Sequence, residues 1–314
     1  MKTAAVAGID EVGLGPTLGP LVLGAVLFRG PSACLGDLFS ELKGFVRRTP
    51  SIRRDRLPID DSKRLFAGRR SLAPLELPAL ATMRPRQPLA TRLEELLEAA
   101  ASGWPPWYLH AGACDLPCEV QPELVAEWRA RWPAELASRG IEHVASFVRP
   151  VLEGELNDCF RRGLNKSEAV LTRLAPVLRR LATLTPDEEL TLLVDRQGGR
   201  HYYGDFLLTV FPLRRLRVIE ETERCSTYVL DDGRRTITVC FEVEGDGLHL
   251  PVALASVGAK YVRELFLRRF NAHFGGRKPG LKPTAGYHED AWRWLADAAD
   301  VLTAEERVAL VRER

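Results

Sequence analysis

The chain has 314 residues, 46% of them hydrophobic and 27% charged, with a formal net charge of +2. That length and apolar content allow a large core in one elaborated domain or two, and a charge so near neutrality excludes a global basic field as the source of any nucleic-acid affinity. No apolar run approaches the ~20 residues of a bilayer span, no charged-then-apolar leader opens the sequence, and the six cysteines show no disulfide framework, so a cytoplasmic protein is expected.

The first element is a strand, Ala5–Asp10, whose apolar run Val6–Ile9 ends in two adjacent carboxylates, Asp10 and Glu11, and then a glycine-rich turn, Gly13-Leu14-Gly15-Pro16. Neighbouring strand side chains point to opposite faces, so the two acids converge only if the strand ends between them. Gly13 and Gly15 permit such a bend and leave backbone N–H groups open to a phosphate or sugar. The competing reading is a solvated acidic turn. A second strand, Leu21–Phe28, completes an opening hairpin. An arginine-rich stretch then leads to Asp61-Ser62-Lys63-Arg64-Leu65. Other basic pairs, Arg53-Arg54, Arg69-Arg70, Arg214-Arg215, Arg268-Arg269 and Arg277-Lys278, read as solvated faces.

From about residue 72 to 138 prolines punctuate two helical patterns, Ala90–Ala101 and Glu123–Arg139, which reads as an inserted helical subdomain. Its Trp104, Trp107 and Tyr108 either stack on bases or pack a small local core, and the adjoining prolines favour the core. Cys114 and Cys118, with His110 nearby, would make half a zinc site, but no second ligand pair follows at finger-like spacing. Beyond the insertion come a strand His143–Val148, an amphipathic helix Ser167–Leu184 and a buried strand Leu190–Asp195. Leu216–Glu220, Ser226–Leu230 and Thr236–Glu242 are further strands, the last two joined by the turn Asp231-Asp232-Gly233-Arg234. A helix over Val252–Arg269 carries Ala253, Ala255, Ser256, Gly258 and Ala259, small enough to let it lie close to a sheet, and the remainder from Ala285 is helical. Strands and helices interleave without a regular βαβ repeat.

Six segments in chain order resemble the motifs of the type 2 ribonucleases H, the ribonuclease HII and HIII family. Asp10-Glu11-Val12-Gly13-Leu14-Gly15-Pro16 is similar to the opening motif, Asp61-Ser62-Lys63-Arg64-Leu65 to the Asp-Ser-Lys-Lys-Leu motif, and Leu164-Asn165-Lys166 to a Leu-Asn segment. Val194-Asp195 resembles the strand end bearing the third family carboxylate. Gly245-Asp246 stands ten residues before Ser256 in Ala255-Ser256-Val257-Gly258-Ala259-Lys260, the spacing from the fourth carboxylate to the family's helix, and Pro283-Thr284-Ala285-Gly286-Tyr287 resembles the Gly-Tyr segment beyond. The matches span most of the chain outside two insertions.

The resemblance implies an α/β ribonuclease H-like fold, a mixed sheet flanked by helices, with residues 1–314 forming one catalytic domain, 72–138 a helical insertion and 262–314 its last helical part. It implies hydrolysis of the RNA strand of RNA–DNA hybrids. Such chemistry needs an activated water in line with the leaving 3′-oxygen, which two Mg²⁺ or Mn²⁺ ions about 4 Å apart provide, and hard cations take oxygen ligands. The carry-over assigns Asp10, Glu11, Asp195 and Asp246 as catalytic metal ligands, with Asp10 bridging; Glu244 is the rival of Asp246. Gly13, Leu14, Gly15, Ser62, Lys63, Ser256, Lys260 and Tyr287 become substrate contacts, Ser256 and Lys260 sharing one helix face. The chain departs from the family at Leu14, where an arginine is usual, and at Glu264, where aspartate is usual. With the first motif at its start it reads as the HII type, a monomer acting on hybrid nucleic acid and not on membranes. A reading of a different class is a non-catalytic nucleic-acid-binding relative; the retention of four mutually repelling acids argues against it.

Overall fold

Glycines in the opening hairpin set how closely the layers pack. The computed structural model of the protein describes residues 3–67, 71–84, 87–97, 103–109, 115–196 and 198–313. Strands β1 (Thr3–Val12) and β2 (Leu21–Pro31) pair antiparallel over their whole length. The link to the next long strand carries α1 (Ser32–Leu35), α2 (Leu38–Glu41), the two-residue strands β3 (Val46–Arg47) and β4 (Leu57–Pro58), α3 (Ser62–Phe66), α4 (Ala73–Thr82), α5 (Leu93–Leu96) and α6 (Pro122–Ala137). There follow β5 (Glu142–Val151), α7 (Glu153–Arg161), α8 (Lys166–Thr183), β6 (Glu189–Asp195), α9 (Gly204–Val210), β7 (Arg215–Glu221), β8 (Cys225–Asp231) and β9 (Thr236–Glu242). The last helices are α10 (Gly245–Leu248), α11 (Leu250–Arg277), α12 (His288–Asp297) and α13 (Ala304–Leu310).

The main sheet has seven strands in the order β5-β2-β1-β6-β9-β8-β7. Its centre, β1-β6-β9, is parallel, and both wings are antiparallel. The expected mixed sheet flanked by helices is therefore present. α11 crosses one face with no room to spare: a Cβ on Gly8 would stand 2.1 Å from the Pro251 carbonyl carbon, and one on Gly24 2.2 Å from Ala255 O. The small residues of α11 and these two glycines are thus two halves of one close approach. The opposite face packs Ala5, Ala7, Ile9, Ala25 and Leu27 against α8 and α9.

Three expectations change. The pattern over Ala90–Ala101 yields only the single turn α5, whose Leu93 and Leu96 are buried, before the chain extends at Leu97; residues 98–101 lie outside the described residues. The described residues of segment 72–138 pack into the main core. The segment's buried Leu75, Leu80, Tyr108, Trp128 and Trp132 share one core with Val26 and Phe28 of β2 and with Phe266 and Phe270 of α11. Buried Glu76 of α4 accepts N–H groups of Cys118, Glu119 and Val120 and the hydroxyl of Tyr261 on α11. Trp107 and Tyr108 are buried, and Trp104 lies 4.8 Å from the Phe266 ring, so these aromatics pack on α11 instead of facing bases. Third, antiparallel pairing of β8 and β9 brings two cysteines that the sequence left scattered, Cys225 and Cys240, to 3.1 Å as free thiols. His110 and Cys114 of the half-zinc reading, and Arg69-Arg70, lie outside the described residues. No described helix is long and apolar enough to cross a membrane.

Candidate active site

Three parallel strands run toward one edge of the sheet, and each delivers a carboxylate there. The β1–β6 pairing ends at Ile9↔Val194, so Asp10 emerges at the first position of β1 that β6 no longer flanks. In open parallel sheets ligands bind at this carboxyl edge. Asp195 is the last residue of β6. After β9, Glu244 takes a left-handed conformation (φ 59°) that turns the chain back, and Asp246 follows in α10.

Pairing of β1 with β2 continues through Val12↔Val22, so the strand does not end between Asp10 and Glu11. The alternation holds instead: Asp10 shares the α11 face with Gly8, and Glu11 shares the opposite face with Ile9. Asp10 is buried, and its Oδ1 accepts the Glu11 N–H at 2.7 Å. Burial, and then the charges of Asp195, Glu11 and Asp246, push its carboxyl well above the ordinary range, with a hydrogen bond from Ser256 opposing them. Burial also raises Asp195, against the N–H groups of Gly245, at 2.8 Å, and Asp246 and against the charge of Lys63. Asp246 is pushed up to about 7 by burial and by Asp61 and Asp195. Glu244, its rival, is exposed, whereas Asp246 is 6% exposed.

Asp61 is the acid that motif reading passed over. Its carboxylate caps α3 by accepting the Lys63 N–H at 2.7 Å and also meets the carboxyl of Asp246. The available signal was an Asp directly before Ser-Lys at a helix start. Arg48 fixes this corner, forking onto the buried Asp60 at 3.0 and 2.7 Å and reaching Gly247 O at 2.7 Å. Lys63 is the cation of the site: burial would lower it, but Asp246, Asp61, Asp10 and Asp195 outweigh that and raise it.

The expected substrate contacts divide. Ser62 and Ser256 are each 1% exposed, and their hydroxyl oxygens are hydrogen-bonded to each other at 2.9 Å. Both are buried, and Ser256 also hydrogen-bonds Asp10. Lys260 is mostly buried, pairs with Glu264 at 2.6 Å and lies 5.0 Å above the Phe66 ring. Tyr287 is half exposed, with the Arg263 guanidinium 5.7 Å from its ring centre. Gly13 has φ +94°, and a Cβ there would meet Arg263 Nε at 2.5 Å, so glycine is required. Gly15 is exposed with open space around it, and Leu14 packs against the cluster of Leu21, Leu23, Val151, Leu156 and Phe160.

The donor set is entirely oxygen, as Mg²⁺ and Mn²⁺ prefer, and its acids raise one another's affinity for protons, a cost that a bound cation would relieve. Among the described residues no group of three or more His, Cys, Asp or Glu is closely enough gathered to hold an ion, so a cation would have to draw these carboxylates in.

No family model and no curated protein matches the chain. Solved structures similar to it include the PCNA complex of RNase HII from Archaeoglobus fulgidus, at 17% identity over 98% of this chain and 92% of that one, with a TM-score of 0.43. Bst-RNase HIII in complex with Mn²⁺ is similar at 16% identity over 99% and 67%, with a TM-score of 0.44. The ribonuclease H2 of Pyrococcus horikoshii OT3 is similar at 14% identity over 98% and 92%, with a TM-score of 0.43. At such identities and TM-scores, what the site does has to be reasoned from its own residues.

Proposed function

We propose that the protein is a metal-dependent endonuclease that hydrolyses the RNA strand of RNA–DNA hybrids. The observation that carries this reading is the delivery of Asp10, Asp195 and Asp246 to the carboxyl edge of three parallel strands, where Lys63 feels the charge of all three and each acid is raised first by burial and then by neighbouring carboxylates. An acidic site of this kind is unfavourable by itself and useful with cations: bound Mg²⁺ or Mn²⁺ would activate water and stabilise the leaving 3′-oxygen. Asp10, Asp195 and Asp246 would hold the metal, with Glu11 approaching from the other face of β1. Ser256 hydrogen-bonds Asp10 and Ser62. Lys63 is the exposed cation available to a substrate phosphate, the glycine-rich turn offers backbone donors, and Tyr287 offers a ring face. The substrate motifs resemble those of ribonuclease HII, and the protein is proposed to act as a monomer in the cytoplasm.

The test is purified protein with Mg²⁺ or Mn²⁺ on a labelled RNA–DNA hybrid, beside double-stranded DNA and double-stranded RNA, with a chelator control. Metal-dependent cleavage confined to the hybrid's RNA strand is expected. Cleavage of double-stranded DNA in preference to hybrid would replace the substrate assignment, and tight hybrid binding with no cleavage in either metal would favour the non-catalytic reading.

A further inference from the structure

The glycine-rich turn is held from below by a residue 299 positions away in sequence. Arg312, in the segment after α13, is 4% exposed. Its Nη1 donates to Gly13 O at 2.6 Å and its Nη2 to Gly19 O, while its backbone N–H donates to Thr17 O at 3.0 Å. Burial lowers the guanidinium to about 10 against the opposing charge of Glu153. Glu153 is itself buried and accepts the Gly19 N–H at 2.9 Å and the Tyr108 hydroxyl. The backbone on either side of Arg312 is fixed by Asn157, which donates to Val311 O at 2.9 Å and accepts the Glu313 N–H at 3.0 Å. From above, Thr17 and Leu18 donate to Gly286 O at 2.8 and 3.1 Å, next to Tyr287.

A buried arginine with few counter-charges is costly, and this one spends its fork on backbone carbonyls of a single turn. In a planar trans peptide the carbonyl and the following N–H point in opposite directions. A Gly13 carbonyl drawn inward to Arg312 therefore turns the Leu14 N–H away from Arg312.

We infer that Arg312 is a positioning residue for the glycine-rich turn, locking the Gly13 and Gly19 carbonyls inward so that the Leu14 and Gly15 N–H groups, unlike those of Thr17, Leu18 and Gly19, stay presented to a nucleic-acid substrate. What the turn contacts rests on the proposed nuclease activity; that Arg312 locks it does not. Arg312→Lys keeps the charge beside Glu153 but loses the two-pronged fork, and Arg312→Ala removes both. Hydrogen exchange at the Thr17, Leu18 and Gly19 amides is expected to rise about tenfold in Arg312→Lys, as the loss of one good hydrogen bond to a charged group implies, with the amides of β1 from Ala4 to Ile9 unchanged. KM for the hybrid is expected to rise about tenfold with kcat nearly constant, and added guanidinium should restore Arg312→Ala. Wild-type exchange at the turn in Arg312→Lys, or an increase spread equally over β1, would overturn the inference. If Arg312→Ala does not fold, Arg312→Lys decides. If wild-type protein cleaves no hybrid, the nuclease reading falls and the exchange measurement alone decides the clamp.

Discussion

Acidification should loosen the seam between the 72–138 segment and the sheet, and His143 sets the size of the effect. This residue lies on β5 opposite Phe28 of β2, 6% exposed, its ring 4.7 Å from that of Phe28 and its Nδ1 accepting the indole N–H of Trp132 from α6 at 3.0 Å. Burial among these aromatics lowers it from 6.5 to about 3. The unfolded chain takes up the proton near pH 6.5, whereas the folded chain refuses it until about pH 3. Stability is therefore fully present above 6.5 and drains away as the pH falls between those values. At about 1.4 kcal/mol per pH unit the loss is about 2 kcal/mol at pH 5 and about 4 to 5 kcal/mol by pH 3, a large share of the roughly 5–15 kcal/mol that stabilises a folded domain. Urea unfolding followed by tryptophan fluorescence at pH 7.5, 6 and 5 measures it, with His143→Gln as the comparison. Gln retains an acceptor for Trp132 without titrating, so the variant should start less stable yet lose about 2 kcal/mol less between pH 7.5 and 5. Parallel losses in the two proteins would refute the reasoning, because the pH dependence would then belong to other groups.

Asp246→Asn should lower hybrid turnover by at least about two orders of magnitude while Glu244→Gln leaves it near wild type; the opposite pattern in the same cleavage assay would make Glu244 the ligand. Gly24→Ala should destabilise by about 3 kcal/mol or more in denaturant titration, because its Cβ would stand 2.2 Å from a backbone oxygen of α11 that cannot retreat without shifting Ser256 from Asp10. Replacing residues 72–138 with a short linker should give a chain without cooperative unfolding, since it exposes Phe28, Phe266 and Phe270 of the shared core; a cooperatively folded deletion by circular dichroism would show the segment to be separable after all. Leu14→Arg should cost about 1–2 kcal/mol of stability through lost packing on Leu21 and Phe160, and should raise cleavage at a single embedded ribonucleotide relative to a continuous hybrid; an unchanged ratio would make the side chain at this position irrelevant to recognition.

The sequence by itself determined the elements whose signals are local. Alternating apolar residues and turn chemistry marked β1, β2, β6, β8 and β9 to within a few residues, and the small residues of α11 announced its close packing. Asp10 and Asp195 stood out at the ends of apolar strand patterns and Asp246 only through its spacing to Ser256 in the family resemblance; the charges of Asp195 and Asp246 both act on Asp10. Tertiary structure decided the rest. Uninterrupted pairing of β1 with β2 assigned Glu11 to the face opposite Asp10, where the sequence left a strand break open. Burial tied Ser256 to both Ser62 and Asp10, and contact with Asp246 made Asp61 a further acid at this edge. The described residues of segment 72–138 join the main core because Trp104, Trp107 and Tyr108 pack on α11 and Trp128 and Trp132 on Phe45 and Phe28, and Arg312 reached the glycine turn from the other end of the chain. Strand alternation and turn propensity act over a few residues, so they can be read along the chain, whereas burial and electrostatic coupling are set by residues tens to hundreds of positions away and exist only once the chain has folded.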